Sequence, residues 1–300
     1  MTAVKLGAAN IHTGAAAVNK FSGWVVSQFA LADVRQGLPR MCMARLRLLT
    51  FNIAHARGPS PIPQAFRRAR ALRANLLRIA NLITRLKVDI VALQEIDENS
   101  RWAGSFDHLA FLVEHTGLKH AVHGVTNRRL GHFHLNYGNA LLSRFPISHH
   151  ETVPFGRRTF GEKGFLFAEI EAPCGRLPVF NIHLNHRSRA LRLKQATQLM
   201  HHLGGLRRDR AAQWHSEPVL CGDFNTPSHL PDAVAMLLGY FEQTNNYTLL
   251  PKAGRTFPSV LPARALDYVL LPEQCREPRA KIIRSLLSDH QPVLVEFAAD

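Results

Sequence analysis

The chain of 300 residues carries polar side chains at the ends of several apolar segments, where such groups are unfavourable without a partner. These residues are Asn52, Glu95, His183, Asn185, Asp223, Asn225, Asp267, Asp289 and His290. Hydrolysis of a phosphate ester needs such groups, because charge on the phosphoryl oxygens must be neutralised and a water must be activated and aimed. Carboxylate and amide oxygens are also the ligands that Mg²⁺ prefers. The set therefore predicts phosphoester chemistry.

A single carboxylate after an apolar strand is more often a turn former or a helix cap than a catalytic group. The joint pattern is more informative, because the same chemistry recurs at one strand end after another. A sheet edge can gather such strand ends into one cleft. We therefore interpret the set as one site.

Hydrophobic patterning predicts the elements that must position these residues. Apolar residues that recur every three or four positions predict helices over 65–87 and 188–206, with a shorter one at 230–239. The apolar face of the first includes Phe66, and that of the second includes Leu191. Apolar runs between Gly and Pro loops predict strands at Leu46–Ala54, 89–96, 139–147, 165–172, 177–184, 218–225, 265–271, near 282–287 and 291–297.

Strands outnumber helices and many neighbours are joined by short turns, which predicts an α/β fold of mixed sheets with helices packed outside. Nothing between 45 and 300 resembles a linker, so we predict one domain there. Residues 1–44 are interpreted as a poorly ordered N-terminal extension, or as the result of a start codon assigned too far upstream, since Met41 and Met43 lie just before the first strand. A targeting segment or a surface anchor is the alternative, since the apolar patches at 21–26 and 29–34 are too short to span a membrane.

The formal net charge of +15 favours anionic partners such as nucleic acid, phospholipid headgroups or phosphorylated metabolites, although codon bias and solubility also explain an Arg-rich chain. The four cysteines form no CxxC pair, which argues against a disulfide framework or a zinc site. Isolated cysteines are typical of a reducing compartment, and we expect a cytoplasmic monomer. No apolar run reaches the roughly 18 residues of a transmembrane helix.

Six segments resemble, in this order, the signature blocks of the endonuclease/exonuclease/phosphatase superfamily: TFNIA, ALQEID, NIHLNH, CGDFNTP, LDYVLL and SDHQPV. The resemblance runs from about residue 45 to 298, and the connecting GNALLSRFPI is similar to the family's central strand. That superfamily includes deoxyribonucleases, poly(A) deadenylases, inositol-phosphate 5-phosphatases and neutral sphingomyelinases. The resemblance implies a four-layered α/β sandwich of two packed mixed sheets, with the site at one edge.

The resemblance also implies roles at a metal centre. Glu95 would be the main ligand of Mg²⁺, or of Mn²⁺ as an alternative cofactor. Asn52 would assist it, and Asp289 would do so directly or through water. Asp223 would take a proton from the attacking water or orient it, and Asn225 would position that water or donate to a phosphoryl oxygen.

Two histidines complete the implied machinery. His290 would donate to the charge that develops on the phosphoryl group, oriented by Asp267 through its other ring nitrogen. His183 would hydrogen-bond a nonbridging oxygen or assist the leaving group. A buried Asp–His pair titrates as a unit, so the sequence leaves open which group acts as acid or base. The number of metal ions also stays open.

Contacts to the rest of the substrate are expected from Asn185, Arg187 and Arg144. Arg187 belongs to a basic helix start beside the His183 block, where it is placed to contact phosphate. Arg144 either faces the cleft or pairs with a carboxylate. The basic pair at 128–129 is interpreted as part of a solvated loop, with a substrate clamp as the alternative.

The predicted function is hydrolysis of an anionic phosphoester by a nuclease-like phosphodiesterase, and the basic charge favours nucleic acid as substrate. A hydrolase of phospholipid headgroups or small phosphoesters is the alternative. The LCGDFNTP block departs from that of the inositol phosphatases, which argues against that subgroup. A non-catalytic binding protein of the same fold should lack one of the central residues, but all of them are present.

Overall fold

A computed structural model describes residues 44–157, 161–242 and 246–299. Its strands are β1 (Ala44–Asn52), β2 (Ile90–Asp97), β3 (His120–Arg129), β4 (Leu135–Ser143), β5 (Ile147–Pro154), β6 (Gly164–Ala172), β7 (Gly175–His183), β8 (Val219–Asp223), β9 (Tyr247–Leu250), β10 (Asp267–Pro272), β11 (Cys275–Ile282) and β12 (Val293–Ala299). Its α-helices are α1 (Ala69–Arg85), α2 (His108–Thr116), α3 (Arg189–Arg210) and α4 (Ala233–Glu242). Residues 1–43 of the expected extension lie outside the described residues, and β1 begins at the last residue of that segment.

Two six-stranded mixed sheets form the centre of the fold. Their strand orders are β11-β12-β1-β2-β4-β3 and β5-β6-β7-β8-β10-β9. Each sheet contains one parallel pair, β1 with β2 and β7 with β8. A helix joins the two strands of each pair, α1 in the first and α3 in the second, as a parallel crossover requires. The two strands of a parallel pair end at the same edge of their sheet. Asn52 and Glu95 therefore lie at one edge of the first sheet. His183 and Asp223 lie together at one edge of the second sheet for the same reason.

Apolar side chains form three clusters between four layers, which are the two β-sheets and a helical layer outside each of them. One cluster lies between the two β-sheets, a second between the first sheet and α1 with α2, and a third between the second sheet and α3 with α4. Burial of a Leu or Phe side chain contributes roughly 1.5–3 kcal/mol, so these clusters supply most of the stabilisation. The arrangement confirms the predicted four-layered α/β sandwich.

Helix α1 begins at Ala69, four residues later than predicted. Residues Gln64–Phe66 form a separate 3-10 turn, and the backbone of Arg67 and Arg68 is extended before the helix starts. This break turns Phe66 away from the helical apolar face, and its side chain is 80% exposed. The prediction that Phe66 belongs to the core is therefore wrong.

Helix α3 contains a second correction. Leu191 is 46% exposed, because the inward position in the first turn is taken by Arg192. The Arg192 guanidinium forms hydrogen bonds to both carboxylate oxygens of the buried Asp232. A buried ion pair that ties α3 to the start of α4 thus replaces the predicted leucine contact.

Four described elements lack a sequence prediction: α2, β3, β5 and β9. The strand predicted near 282–287 is misplaced, since β11 ends at Ile282 and the chain then leaves the sheet. Arg128 and Arg129 are the last residues of β3, so their assignment to a loop is also wrong. No helix among the described residues is both long and apolar enough to cross a membrane.

Candidate active site

The edge at which the two parallel pairs end contains a cleft of about 270 Å³. Seven of the predicted site residues line it: Asn52, Glu95, His183, Asp223, Asn225, Asp289 and His290. Asp267 lies behind His290 and contacts its ring. The structure therefore brings together all the residues predicted for catalysis and metal binding, from blocks that are far apart in the sequence.

Buried amides fix the spacing of the two sheets below the cleft. The Nδ2 of Asn181, on β7, donates to the carbonyl oxygens of Leu93 and Ala140, both at 2.8 Å. Its Oδ1 accepts a hydrogen bond from Gln94 at 2.7 Å. A buried polar group left without its partner costs about 1–3 kcal/mol, so the network resists separation of the sheets. It holds the Glu95 side of the cleft at a set distance from the β7 side.

Glu95 reaches the cleft through an irregularity in β2. The pairing of β2 with β4 shifts register between Gln94 and Ile96, and Glu95 has a φ of 54°. Residues other than glycine seldom adopt this left-handed conformation, and bulges near active sites re-aim side chains. Here Gln94 and Ile96 both stay in the core while Glu95 turns into the cleft.

The Glu95 carboxylate is surrounded by basic groups. Lys163 Nζ donates to Glu95 Oε1 at 3.1 Å. The Nε2 atoms of His55 and His183 lie 3.6 and 4.0 Å from Glu95 oxygens. Burial alone would raise the pKa of Glu95, but Lys163 and then His55 outweigh it and hold that pKa well below its usual value. Glu95 is therefore ionised.

His55 forms a second Asp–His pair that the sequence analysis missed. It lies in the turn Ala54–Ala56, whose three residues all have left-handed backbone angles, with φ of 47°, 55° and 61°. Its Nδ1 contacts Asp97 at 2.7 Å, and Trp102 Nε1 donates to the other Asp97 oxygen at 2.8 Å. Burial would lower the pKa of His55, but Asp97 outweighs it and raises that pKa. With Nδ1 held by Asp97, Nε2 faces Glu95.

Asp223 is positioned by a glycine and by a contact across the two sheets. Gly222 has a φ of 142°, and a Cβ there would lie 1.9 Å from the carbonyl oxygen of Ile182, so only glycine allows β8 this close to β7. Asn52 Nδ2 donates to Asp223 Oδ2 at 3.1 Å. The backbone N–H of Asn225 donates to Asp223 Oδ1 at 3.0 Å. Both oxygens of this buried carboxylate are thus held.

His290 lies between two carboxylates. Its Nδ1 is 2.9 Å from Asp267 Oδ2, and its Nε2 is 3.7 Å from Asp223 Oδ2. Burial would lower the pKa of His290, but Asp267 and Asp223 outweigh it and raise that pKa to about 10. Burial raises the pKa of Asp223 to about 7, with His290 opposing the rise and Asp267 adding to it. The ring is therefore an imidazolium that donates one N–H to Asp267.

His183 has the opposite protonation state. Burial, reinforced by Lys163, lowers the pKa of His183 well below its usual value, so the ring is neutral. Its Nε2 lies 3.5 Å from Asp223 Oδ2, and its Nδ1 lies 3.5 Å from Lys163 Nζ. The cleft therefore presents one charged and one neutral imidazole beside the same carboxylate, set apart by their surroundings.

Asn225 and Asp289 lie at the cleft with partners of their own. Asn225 has a φ of 54°, which asparagine tolerates better than most residues, and its Nδ2 donates to the carbonyl oxygen of Leu184 at 2.9 Å. Asp289 accepts a hydrogen bond from the guanidinium of Arg57, which also lines the cleft. Arg57 is a further cation of the site that the sequence analysis did not identify.

Arg144 does not lie at the cleft. It follows β4 at the end where Ser143 pairs with Ile90, the start of β2, whereas Glu95 is near the end of β2. Its guanidinium pairs with Asp89 at 3.0 Å. Of the two alternatives, the carboxylate pair is the one observed, and the predicted substrate contact is a misassignment.

Asn185 and Arg187 shape the entry to α3 instead of lining the cleft. The Oδ1 of Asn185 accepts the backbone N–H groups of Arg187 and Ser188, which closes the turn before the helix. Arg187 is exposed and donates to the neighbouring His186. His186 itself lines the cleft, so this turn contributes an imidazole at the position where arginine was predicted.

The missed cleft residues had weak signals in the sequence. His55 and Arg57 follow the TFNIA block within five residues of Asn52, and Asp97 belongs to ALQEID itself. Lys163 directly precedes the apolar strand GFLFAEI, just as His290 closely precedes PVLVEF. A search for polar residues before strands as well as after them would have included Lys163.

The donor set of the cleft fits a hard divalent cation. One group of acidic and imidazole side chains among the described residues has ligand atoms within 4.8 Å of one another: Asp223, Asp267 and His290. In its charged form His290 carries protons on both nitrogens and offers no lone pair to a metal. Glu95, Asn52 and Asp289 offer oxygen atoms to the same cleft, which is the chemistry that Mg²⁺ prefers.

Residues 49–290 match the Endonuclease/Exonuclease/phosphatase family. The Uncharacterized protein YbhP of Escherichia coli (strain K12) is 30% identical over 177 residues, a match that covers 54% of this chain and 63% of that protein. The chain therefore spans less than two thirds of the length of the curated relatives it matches.

Solved structures share the fold. An endonuclease/exonuclease/phosphatase from Beutenbergia cavernae superposes with a TM-score of 0.64 at 20% identity, over 85% of this chain and 72% of that one. Sphingomyelinase C from Streptomyces griseocarneus superposes with a TM-score of 0.59 at 19% identity, over 86% of this chain and 100% of that one. At these identities the likeness establishes the architecture alone.

Proposed function

The chain belongs to the endonuclease/exonuclease/phosphatase family, and we propose that it is a divalent-metal-dependent hydrolase that cleaves phosphodiesters. One observation carries the proposal. The ionised Glu95 from one sheet and the buried Asp223 from the other open into the same cleft, with an imidazolium and a neutral imidazole beside Asp223. A metal ligand, an acceptor for a water proton and donors for phosphate are thus within one site.

Glu95, Asn52 and Asp289 would hold the cation, which we propose to be Mg²⁺ with Mn²⁺ as a substitute. When bound, a divalent cation neutralises charge on the phosphoryl oxygens. Glu95 suits this role because it is ionised and its Oε2 accepts no hydrogen bond from Lys163, which uses Oε1. The bond from the Asn52 amide to Asp223 places the proposed base beside the proposed metal ligands.

Asp223 accepts the proton of the attacking water or orients that water. The water oxygen forms the new bond to phosphorus, the ester P–O bond breaks, and the leaving oxygen takes up a proton. A carboxylate whose pKa is raised to about 7 is matched to proton transfer near neutral pH. The two hydrogen bonds to Asp223, from Asn52 and from the backbone of Asn225, set its direction before substrate arrives.

Four cationic or neutral donors stabilise the phosphoryl group in this proposal. His290 donates through Nε2, with its ring fixed by Asp267. His183, whose Nε2 lies 3.5 Å from Asp223 Oδ2, hydrogen-bonds a nonbridging oxygen. Arg57 and Lys163 add positive charge at the cleft wall. Donors that are already in place where charge develops are usually the largest single contribution to such catalysis.

Removal and return of the metal tests the proposal. EDTA should abolish hydrolysis of bis-p-nitrophenyl phosphate by the purified chain, and Mg²⁺ or Mn²⁺ in excess should restore it. The same titration with the Glu95→Gln variant should need a higher metal concentration, while Glu114→Gln, an exposed glutamate on α2, should behave as wild type. Hydrolysis that is indifferent to chelation would contradict the proposal.

A further inference from the structure

Three loops near the cleft carry exposed apolar side chains in pairs. These six residues, which we call the apolar rim, are Ile62, Phe66, Leu130, Phe133, Val260 and Leu261. Their exposed fractions run from 46% to 83%. Ten large apolar side chains are exposed in the described part of the chain, so the rim holds more than half of them. Exposed apolar groups that cluster in this way mark an interaction surface.

Strand direction places all three loops on the catalytic edge. The first loop, 53–68, follows β1 directly after Asn52. The second, 130–134, precedes β4, which pairs with the Asp97 end of β2. The third, 251–266, precedes β10, whose first residue Asp267 pairs with Asp223.

Contacts join the loops into one continuous border. Ser259 in the third loop donates its backbone N–H to the carbonyl oxygen of Asp289 at 2.7 Å, and Arg57 in the first loop donates to the Asp289 carboxylate. The Gln64–Phe66 turn of the first loop contacts the turn Arg101–Ala103. The backbone N–H of Arg101 in turn donates to His134 in the second loop at 3.1 Å. The rim therefore follows the cleft from the third loop through the first to the second.

The turn that carries Val260 and Leu261 is held firmly in place. The backbone N–H of Arg264 donates to the carbonyl oxygen of Phe257 at 2.8 Å, which closes the turn. The buried hydroxyl of Ser259 donates to the carbonyl oxygen of Ser288 at 2.6 Å. Val260 and Leu261 project from this anchored turn with 61% and 78% of their surface exposed. The hydrogen bonds of the turn therefore hold these two apolar side chains in an exposed position.

The base of the same turn belongs to the cleft. The Phe257 ring lies 4.8 Å from the ring of His290, between centroids, and both Phe257 and Arg264 line the cleft. The Arg264 guanidinium lies over the Phe257 ring at 4.9 Å. A partner that covers Val260 and Leu261 would therefore sit at the mouth of the cleft.

The charge of the rim favours an anionic partner. The three loops contain no Asp or Glu, and their cationic residues are Arg57, Arg67, Arg68, Lys252, Arg255 and Arg264. Arg128 and Arg129 are exposed at the strand end that leads into the second loop. Arg and Lys beside exposed aliphatic and aromatic side chains form the combination that adsorbs to an anionic membrane surface.

We propose that the apolar rim docks this protein on an anionic phospholipid bilayer, so that the cleft opens onto headgroups and takes their phosphodiesters as substrate. The substrate assignment rests on the proposed function, whereas the docking does not. Four of the six rim residues are aliphatic and have no flat face on which a base can stack, so a bilayer fits the surface better than a single-stranded nucleic acid.

Vesicle cosedimentation of the full chain tests the docking without added metal. Wild type should bind vesicles of phosphatidylcholine and phosphatidylglycerol, and bind those of phosphatidylcholine alone much more weakly. The double variant Val260→Ser/Leu261→Ser should lower the partition coefficient about tenfold or more, since two apolar side chains no longer insert. The control Leu77→Ser removes an exposed leucine on α1, outside the rim, and should bind as wild type.

Hydrolysis separates the two parts of the proposal. The double variant should cleave bis-p-nitrophenyl phosphate at the wild-type rate, but it should release phosphorylated headgroups from the vesicles several-fold more slowly. If the chain binds vesicles through the rim but cleaves no phosphoester, the proposed function and the lipid substrate are refuted, and the docking stands. Hydrolysis of bis-p-nitrophenyl phosphate by a chain that ignores the vesicles would refute the docking alone.

Other occupants of the rim give different results. Equal vesicle binding by wild type and the double variant would overturn the proposal. It would also be overturned if the double variant lost affinity for single-stranded DNA or RNA and kept its affinity for vesicles. A dimer in vesicle-free buffer that the same substitutions turn into a monomer would assign the rim to a second copy of the chain.

Discussion

The side-chain amide of Asn52 donates to Oδ2 of Asp223 at 3.1 Å and so joins the working edges of the two sheets. Asn52 is the last residue of β1, and Asp223 is the last residue of β8. The amide cannot turn freely, because its oxygen accepts the backbone N–H of Ala54 at 3.0 Å. The residue proposed to act on water is thus held by a residue proposed to bind the metal.

The Asp267→Asn variant should change the pH dependence of hydrolysis. Asp267 is the foremost group that raises the pKa of His290 to about 10, so its loss should lower that pKa towards the ordinary value of about 6.5. The protonated ring is the donor, and it is present only below its pKa. The alkaline fall in kcat/KM should therefore move from about pH 10 towards neutrality.

A pH–rate profile with bis-p-nitrophenyl phosphate measures this shift. Asp209→Asn provides a matched control, because Asp209 is exposed on α3 and away from the cleft. An alkaline limb that stays at the same pH in the Asp267→Asn variant would show that Asp267 does not hold the charge of His290.

The Asp97→Asn variant should bind the metal more weakly, although Asp97 is not one of the proposed metal ligands. Asp97 holds His55 by Nδ1, and His55 faces the Glu95 carboxylate with Nε2. Loss of such a supporting partner typically lowers metal affinity about 10- to 100-fold. Titration calorimetry with Mn²⁺ measures the dissociation constant directly, and circular dichroism checks that the variant is folded. A folded variant with the wild-type dissociation constant would remove His55 from the account of the site.

The interior strands could be predicted from the sequence, but the edges of both sheets could not. Interior strands such as β1, β2 and β8 are buried on both faces and read as apolar runs. The missed strands β3, β5 and β9 and the misplaced β11 are the four outer strands. β3, β5 and β11 each have a face in solvent, so polar residues interrupt their apolar pattern, as in HAVHGVTNRR of β3. β9 is only four residues long, which is too short to show a pattern.

The central site residues could be predicted because they lie in short blocks at strand ends. The resemblance carried by those blocks is confirmed by the family match over residues 49–290. Arg144 was misassigned because its distance from the cleft is set by the antiparallel pairing of β4 with β2. The local sequence around Arg144 does not show which strand β4 pairs with or in which direction. His55 was missed because the left-handed turn that directs it at Glu95 contains no glycine, the residue that usually indicates such a turn in a sequence.

The Arg144→Ala variant should leave catalysis unchanged. The guanidinium pairs with Asp89 at the far end of β2, and it is more than half exposed, so the ion pair contributes at most about 1 kcal/mol to stability. The KM and kcat for bis-p-nitrophenyl phosphate should equal those of wild type. An Arg57→Ala variant, which removes a cation from the cleft, should raise KM in the same assay. A raised KM in Arg144→Ala would restore the predicted substrate contact.

Asp223 is the residue on which the proposed hydrolysis depends most, because it accepts a proton from the attacking water or orients that water. The rate of Mg²⁺-dependent hydrolysis of bis-p-nitrophenyl phosphate is measured for wild type and for Asp223→Asn, with circular dichroism as the test of folding. The variant keeps a side chain of the same shape but cannot accept a proton, so kcat should fall by about two to four orders of magnitude. A folded Asp223→Asn variant that turns over at the wild-type rate would show that Asp223 does not act on the attacking water.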